Sequence, residues 1–208
     1  MSDQPVITVV DDDQSIRGAL DSLFRSVGLT TRGFSSIAEF LSCPHRPDHG
    51  CLVLDVRLPG ISGLDFQERM TQLGVRLPVI LMTGHGDIPM SVRGMKAGAI
   101  DFLTKPFRDQ DMLDAVNQAL QASASRREAE QGSEELKHRF ATLSPREKQV
   151  MALVTIGKMN KQVAGELKLS EITVKIHRGS AMRKMEARSL ASLVRMAGEL
   201  GPELSKFA

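Results

Sequence analysis

The sequence is poor in cysteine, with only Cys43 and Cys51 among its 208 residues. Neither residue belongs to a Cys-x-x-Cys pair or to a Cys/His spacing that binds zinc. These absences argue against a disulfide framework and against a structural zinc site, so we expect buried free thiols in a reducing compartment.

Long apolar runs are also missing from the sequence. No window approaches the roughly 18 apolar residues of a membrane-spanning helix. Residues 1–13 have neither the basic start nor the long apolar stretch of a secretory signal. We therefore expect a soluble, cytoplasmic protein that has no membrane partner.

The formal net charge of +2 hides an uneven distribution of charge. Residues 1–123 carry 11 Lys and Arg against 15 Asp and Glu, a net charge of −4, whereas residues 124–208 carry 16 against 10, a net charge of +6. Two halves of opposite sign predict two domains with different tasks, and the basic one is a candidate for binding nucleic acid. A solvated basic surface without a partner is the alternative that charge alone leaves open.

Short apolar runs alternate with helical patterns throughout the first half. The run at residues 51–54 has the length of a strand buried on both faces, and it ends at Asp55, shortly before a Pro-Gly break. Similar runs, with one shorter segment, predict four more strands, each followed by a helix; they lie at residues 6–10, 30–33, 79–82 and 101–104. This alternation predicts an α/β fold with a parallel sheet covered on both faces.

Polar residues recur where the predicted strands end. Asp11 and Asp12 follow the first strand, Asp55 ends the third, and Thr83 and Lys105 follow the fourth and fifth. In a parallel sheet these ends share one edge, where ligands bind. Clustered carboxylates favour Mg²⁺, and a lysine and a hydroxyl suit a phosphoryl group. The residues predict phosphoryl transfer onto an aspartate, although Asp55 taken alone is equally explained as a turn residue.

Five blocks, VVDDD, LDVRLPGISG, MTGHGD, MKAGAIDF and TKPF, resemble in order the receiver domain of bacterial two-component response regulators. The resemblance implies that Asp55 accepts the phosphoryl group and that Lys105 contacts it, with a cis peptide bond before Pro106. It also implies switch roles for Thr83 and Phe102, and Mg²⁺ ligands from Asp11, Asp12, Asp55 and the backbone carbonyl of Arg57.

Three residues of these blocks have simpler explanations beside the functional ones. Phe102 stands where the family often has tyrosine, and core packing also explains it. Asp13 is expected to begin a helix rather than to bind metal. His85 is expected to be a surface-loop residue rather than a phosphate contact.

Residues 121–139 are rich in Ala, Gln, Glu and Arg and contain one large aliphatic residue, Leu136. Oppositely charged residues four positions apart favour an exposed helix, so we interpret the segment as a helical linker. Gly132-Ser133 is the expected kink or break. Sustained apolar heptads are absent, which disfavours a coiled coil.

The basic half begins with a strong helix start, Leu143-Ser144-Pro145, with Glu147 three residues after the cap. Two later helical patterns, at residues 161–167 and 171–185, are separated by about three residues, which is the helix-turn-helix arrangement. Val174 and Met182 are predicted to face inward on the second of these helices. Its outward donors are predicted to be Thr173, Lys175, His177, Arg178, Arg183 and Lys184.

The blocks LSPREKQVMALV, NKQVAGELKLSEITVKIHR and MRKMEARS closely resemble the LuxR/NarL-type four-helix DNA-binding domain. The resemblance implies that Asn160 and Lys161 lie near phosphates and that the last helix supports a dimer. It places Thr173, Lys175, His177 and Arg178 on the groove-facing helix. Glu186 departs from the family, which usually has glycine there, and puts the turn geometry in question.

Together these features identify the chain as a response regulator of the FixJ type, a transcription factor and not an enzyme. We expect a flavodoxin-like (βα)5 receiver at residues 1–123, a helical linker at 124–140 and an all-α helix-turn-helix domain at 141–208. The implied partners are a sensor histidine kinase, double-stranded promoter DNA, RNA polymerase and a second copy of the chain after phosphorylation. A phosphorylation-independent DNA-binding protein and a metal-dependent phosphohydrolase are the rival interpretations.

Overall fold

A computed structural model describes residues 4–84 and 88–207. The chain divides into two compact units, Met1–Arg127 and Glu128–Ala208. None of the helices within the described ranges is both long and apolar enough to cross a membrane.

The first unit is a five-stranded parallel sheet with the strand order β2-β1-β3-β4-β5, which is the flavodoxin-like order. The strands are β1 (Val6–Val10), β2 (Thr30–Phe34), β3 (Gly50–Asp55), β4 (Val79–Thr83) and β5 (Asp101–Thr104). The helices between and after them are α1 (Gln14–Ser26), α2 (Ile37–Ser42), α3 (Gly63–Arg69), α4 (Ile88–Lys96) and α5 (Asp109–Ala141). The predicted α/β fold is confirmed.

The central strand β3 is buried along its whole length. Because successive side chains of a strand point to opposite faces, Cys51 and Val53 pack into one apolar cluster with Phe24 of α1. Leu52 and Leu54 pack into a second cluster on the other face. Apolar layers on both faces explain why the strand has no alternating polar pattern.

Two glycines let helices approach the sheet closely. A Cβ at Gly63 would lie 2.3 Å from the carbonyl oxygen of Asp55, so the start of α3 crosses directly over the end of β3. A Cβ at Gly94 would lie 2.4 Å from Leu81 Cδ1 and 3.7 Å from Phe102 Cδ2. Helix α4 therefore packs against β4 and β5 through a position that has no side chain.

Helix α5 continues without interruption through Gly132 and Ser133, so the predicted break is wrong. The glycine costs about 1 kcal/mol relative to alanine, which neighbouring interactions offset. The Lys137–Glu134 and Arg139–Glu135 pairs lie at helical spacing, and Leu136 and Phe140 are buried in the core of the second unit.

The second unit consists of the end of α5 and five further helices, within the described residues. These are α6 (Pro145–Thr155), α7 (Asn160–Leu167), α8 (Glu171–Lys184), α9 (Leu190–Leu200) and the short α10 (Pro202–Ser205). Val150, Val163, Val174 and Leu193 are fully buried and join α6 to α9 in one apolar core. The four-helix domain is confirmed, with a fifth helix of four residues added at its end.

Glu147 connects the start of α6 to α8 through a nearly buried carboxylate. One oxygen accepts hydrogen bonds from the Ser144 N–H at 2.7 Å and from Lys184 Nζ at 2.7 Å, and the other from Ser180 Oγ at 2.6 Å. Burial alone would raise the pKa of this carboxyl, but these hydrogen bonds lower the pKa to about 2. The carboxylate thus fixes α8 relative to the capping box of α6.

Replacing Glu147 by glutamine should lower the free energy of unfolding of the second unit by about 1.5–3 kcal/mol at pH 7, because hydrogen bonds to a charged group are lost. The folded-state pKa lies below the ordinary value, so the stabilisation is complete above about pH 4.5 and is lost as the pH falls towards 2. Urea denaturation at pH 7 and pH 3 measures both effects. Glu166→Gln, in an exposed pair with Lys158, is the control and should change stability by less than about 1 kcal/mol.

Candidate functional site

The ends of β1, β3 and β5 bring two carboxylates and one ammonium group together. Asp11 follows β1 and is fully buried, and Asp55 ends β3 and is 5% exposed. Lys105 Nζ, just beyond β5, lies 2.6 Å from Asp11 Oδ2 and 3.4 Å from Asp55 Oδ1. The lysine therefore makes a short hydrogen bond to Asp11 and a longer electrostatic contact with Asp55.

Asp55 is the less satisfied of the two carboxylates. Its Oδ1 is buried and accepts no hydrogen bond from the described residues. Burial raises the pKa of the Asp55 carboxyl and the Asp11 charge adds to this rise, while Lys105 and the Arg57 backbone N–H oppose it. The negative charge on Asp55 is thus only partly compensated.

Asp12 completes an acidic cluster with Asp11 and Asp55. One oxygen of each carboxylate lies within 4.8 Å of the others, close enough for all three to bind one ion, and Asp12 is exposed to solvent. The three carboxylates offer hard oxygen donors, and Asp55 Oδ1 is buried without a hydrogen bond from the described residues. Mg²⁺ prefers ligands of this kind. The residues present therefore fit a divalent cation.

An open cleft borders the acidic cluster at Asp12. It has a volume of about 710 Å³, and Asp12 is among its lining residues. Its other lining residues come from the β3–α3 loop and from the starts of α3 and α4, and include Arg57, Pro59, Asp65 and Arg93.

Of the remaining residues predicted for this site, Thr83 and Arg57 lie at the same edge of the sheet, whereas Phe102 lies within β5. Thr83 ends β4 and is buried, and its carbonyl accepts a hydrogen bond from the Lys105 N–H at 2.7 Å. The Lys105–Pro106 peptide bond is cis. Phe102 is half-buried and packs against the core on the α4 side, and Arg57 is exposed in the loop after β3.

Two lesser predictions have different outcomes. Asp13 caps helix α1, because its Oδ1 accepts a hydrogen bond from the Ser15 N–H at 2.7 Å, and its predicted role is confirmed. His85 lies outside the described residues.

Arg17 belongs to this site and was not predicted from the sequence. One of its guanidinium nitrogens, Nη1, donates hydrogen bonds to the backbone carbonyls of Asp11 at 2.6 Å and Asp12 at 3.0 Å. Its only sequence signal is its position on α1, six residues after Asp11, where a long basic side chain can fold back to the acidic loop.

A second candidate site is the exposed face of α8. Ile172 is 71% exposed and Ile176 is 64% exposed, and Lys175 is exposed beside them. These residues share one face because positions three and four apart are neighbours on a helix. Gly179 continues the face, with open space around it. The two isoleucines were missed because apolar residues of a helix are ordinarily assigned to the core.

Several predicted donors of α8 are engaged within the protein. Thr173 Oγ1 lies 2.8 Å from the oxygen of the capping residue Ser170, and Arg178 hydrogen bonds to Asn160 on α7 at 3.4 Å. Lys184 is exposed as predicted, but its Nζ lies 2.7 Å from a Glu147 carboxylate oxygen, so this donor is also engaged within the protein. His177 is half-buried, whereas Lys161 and Arg183 are exposed.

The turn after α8 has the geometry expected of glycine although it contains Glu186. This residue has φ 55°, in the left-handed region that costs most L-residues roughly 1–2 kcal/mol. The Ala187 N–H nevertheless donates a hydrogen bond to the Met182 carbonyl at 2.9 Å, and the Glu186 carboxylate lies 3.1 Å from Arg139 Nη2. The departure from glycine therefore leaves the turn intact.

Comparison with protein families assigns both units. Residues 7–117 match the model of the response regulator receiver domain, and residues 141–197 match that of the bacterial regulatory proteins of the luxR family. These are families of regulators rather than of enzymes.

Full-length relatives share both units. Nodulation protein W of Bradyrhizobium diazoefficiens is 56% identical over 96% of this chain and 88% of its own length. The transcriptional regulatory protein FixJ of Azorhizobium caulinodans is 44% identical over 92% of this chain and 90% of its own. The solved structure of the response regulator StyR has a TM-score of 0.82, with 48% identity over 94% of this chain and 99% of its own.

Replacing Asp55 by asparagine should raise the free energy of unfolding in metal-free buffer by roughly 1–3 kcal/mol, because it removes one of two crowded buried charges. The wild-type protein should gain stability as the pH falls through the raised pKa of Asp55, since the folded state then binds more protons than the unfolded state. The variant should lack this part of the pH dependence. Urea denaturation in the presence of EDTA measures the free energy of unfolding and its pH dependence. Asp12→Asn, which removes an exposed charge, should raise the free energy of unfolding by less.

Proposed function

The chain belongs to the FixJ-type two-component response regulators, transcription factors with a LuxR-type DNA-binding domain, and on that premise we propose that phosphorylation of Asp55 controls its binding to promoter DNA. The observation that carries this proposal is the buried, unsatisfied Oδ1 of Asp55 beside Lys105 and two further carboxylates. A sensor histidine kinase is the partner that the receiver family implies.

The chemistry is a transfer from a phosphohistidine to a carboxylate. An Asp55 oxygen attacks phosphorus, the nitrogen–phosphorus bond breaks, and the imidazole leaves with its electron pair and takes up a proton. Asp11, Asp12 and Asp55, with the Arg57 carbonyl, would hold Mg²⁺, whose charge offsets that of the phosphoryl oxygens. Lys105, whose Nζ lies 3.4 Å from Asp55 Oδ1, adds a further positive charge.

The added phosphoryl group carries about −1.5 to −2 charges. It competes with Asp11 for the ammonium group of Lys105 and offers acceptors to the Thr83 hydroxyl. Thr83 ends β4, the strand that precedes α4 in the chain. Phe102 lies close to Gly94 of α4, so a shift of α4 changes the packing of Phe102. We assign these two residues the role of switch.

The output is binding to double-stranded promoter DNA in the cytoplasm, with a phosphorylated homodimer contacting RNA polymerase. On α8, Lys175 supplies positive charge for the groove, and Ile172 and Ile176 contact thymine methyl groups. Asn160, Lys161, Thr173, His177 and Arg178 flank that face and support it or contact phosphates. The exposed apolar side chains beside Lys175 favour this direct readout of bases.

Radiolabelled acetyl phosphate should phosphorylate the wild-type chain in the presence of Mg²⁺ and leave Asp55→Asn unlabelled. EDTA should abolish labelling, because the acidic cluster then lacks its cation. Asp65→Asn, which alters another carboxylate lining the same cleft, is the control and should be labelled like the wild type. Equal labelling of the Asp55 variant removes Asp55 from this role.

The same phosphorylated protein tests the link to DNA. Phosphorylation should raise both the dimer fraction and the affinity for a site selected from random oligonucleotides. If the protein is fully labelled but its dimer fraction and DNA affinity do not change, the result favours the rival interpretation, in which the receiver is a scaffold and DNA binding is independent of phosphorylation. Catalytic turnover of a general phosphoester would instead favour a phosphohydrolase.

Replacing thymine by deoxyuracil in the selected site should weaken wild-type binding by about 3- to 5-fold for each contacted methyl group. Ile172→Ala and Ile176→Ala should be less sensitive to this replacement, because the apolar partner is already absent. Lys175→Ala should instead reduce the slope of affinity against salt concentration by about 1. Fluorescence anisotropy with the thymine and deoxyuracil sites, at several salt concentrations, measures the affinities of the wild type and of all three variants.

The control for these variants is Val27→Ala, at an exposed aliphatic residue of the first unit. It should change neither the sensitivity of binding to deoxyuracil nor the slope of affinity against salt concentration. The assignment of α8 to base readout is wrong if both isoleucine variants respond to deoxyuracil like the wild type.

A further inference from the structure

The backbone of the acidic loop between β1 and α1 accepts hydrogen bonds from one guanidinium group. Arg17 Nη1 donates to the carbonyl oxygens of Asp11 and Asp12 at 2.6 and 3.0 Å. One nitrogen bonded to two successive carbonyls fixes the orientation of both peptide groups. Hydrogen bonds from a charged donor are about twice as strong as neutral ones.

The path of the Arg17 side chain is fixed by its neighbours. A Cβ at Gly33 of β2 would lie 3.5 Å from Arg17 Cδ, so the aliphatic stem packs on a strand position without a side chain. The Arg17 N–H donates to the Asp13 carbonyl at 3.1 Å, and the Asp13 N–H to Asp11 Oδ1 at 2.9 Å. Backbone and side chain of the loop are thus linked to the first turn of α1.

Asp12 is the residue that most needs this support. Its carboxylate is exposed, and no hydrogen bond or ion pair to it is seen from the residues that the structure describes. Asp11, by contrast, is held through both carboxylate oxygens by the Asp13 N–H and Lys105. The position of the Asp12 side chain therefore depends on its backbone, which Arg17 fixes.

We propose that Arg17 is a positioning residue that orients the Asp11–Asp12 loop for binding of a divalent cation. This inference rests on the proposed function, because it concerns the same acidic cluster. Groups that support metal ligands in this way typically change metal affinity by 10- to 100-fold when they are removed.

Electrostatics alone predicts the opposite result. Arg17 is a cation close to the acidic cluster, and removing it should strengthen Mg²⁺ binding by Coulomb attraction. If Arg17 acts by orienting the loop, removing it should weaken Mg²⁺ binding. The sign of the change in affinity thus separates positioning from simple charge.

The experiment titrates the full-length protein with MgCl₂ and follows backbone amide NMR shifts of the β1–α1 loop. Arg17→Met keeps the stem over Gly33 and removes the donor, and we expect its Kd for Mg²⁺ to rise at least 10-fold. Arg17→Lys keeps one donor nitrogen and should recover part of the affinity. Arg25→Ala, on the same helix in an exposed pair with Asp21, is the control and should match the wild type.

Phosphorylation by acetyl phosphate supplies a second measurement. The Arg17→Met rate should be low at limiting Mg²⁺ and approach the wild-type rate at saturating Mg²⁺, because only cation binding is impaired. Unchanged or tighter Mg²⁺ binding in Arg17→Met overturns the proposal, as does a failure of both Arg17 variants to fold, which would make the residue purely structural. A wild-type chain that is not phosphorylated contradicts the proposed function, whereas the Mg²⁺ titration tests Arg17 independently.

Discussion

The contact of Lys105 with Asp11 and Asp55 is the interaction on which the first unit depends. Two carboxylates buried within a few ångströms of each other repel strongly, and one ammonium group lies between them at 2.6 and 3.4 Å. The unequal distances mean that Asp11 is nearly satisfied and Asp55 is not. Asp55 consequently keeps a buried oxygen, Oδ1, that accepts no hydrogen bond from the described residues, and this oxygen is the basis of its proposed role as phosphoryl acceptor.

The parallel sheet makes this crowding possible. Its strands end at a common edge, so residues separated by as much as 94 positions, as are Asp11 and Lys105, come into contact. Gly63 lets α3 cross directly over the end of β3, which holds the backbone of Asp55 in place. The apolar clusters on both faces fix the strands, and they stabilise a site that its own charges would destabilise.

Much of this arrangement was predictable because it depends on local pattern and on the shared edge of a parallel sheet. The strand ending at Asp55 and its polar neighbours follow from apolar runs that stop at charged residues. The supposed break at Gly132 was wrong because local propensity ignores the tertiary burial of Leu136 and Phe140. The role of Arg17 was missed because its partners are backbone carbonyls, which every residue has and no sequence pattern marks.

The second unit also pairs a lysine with a carboxylate that is nearly buried. A basic helix that must meet DNA needs free cations outward and a rigid attachment inward, and these demands compete for the same residue types. Lys184 resolves the competition by binding Glu147, so a lysine that looks available from the sequence instead anchors α8. The exposed face of α8 carries Lys175 between two exposed isoleucines. Helix α8 therefore combines modest charge with apolar contact area, a composition suited to distinguishing bases rather than only to binding phosphates.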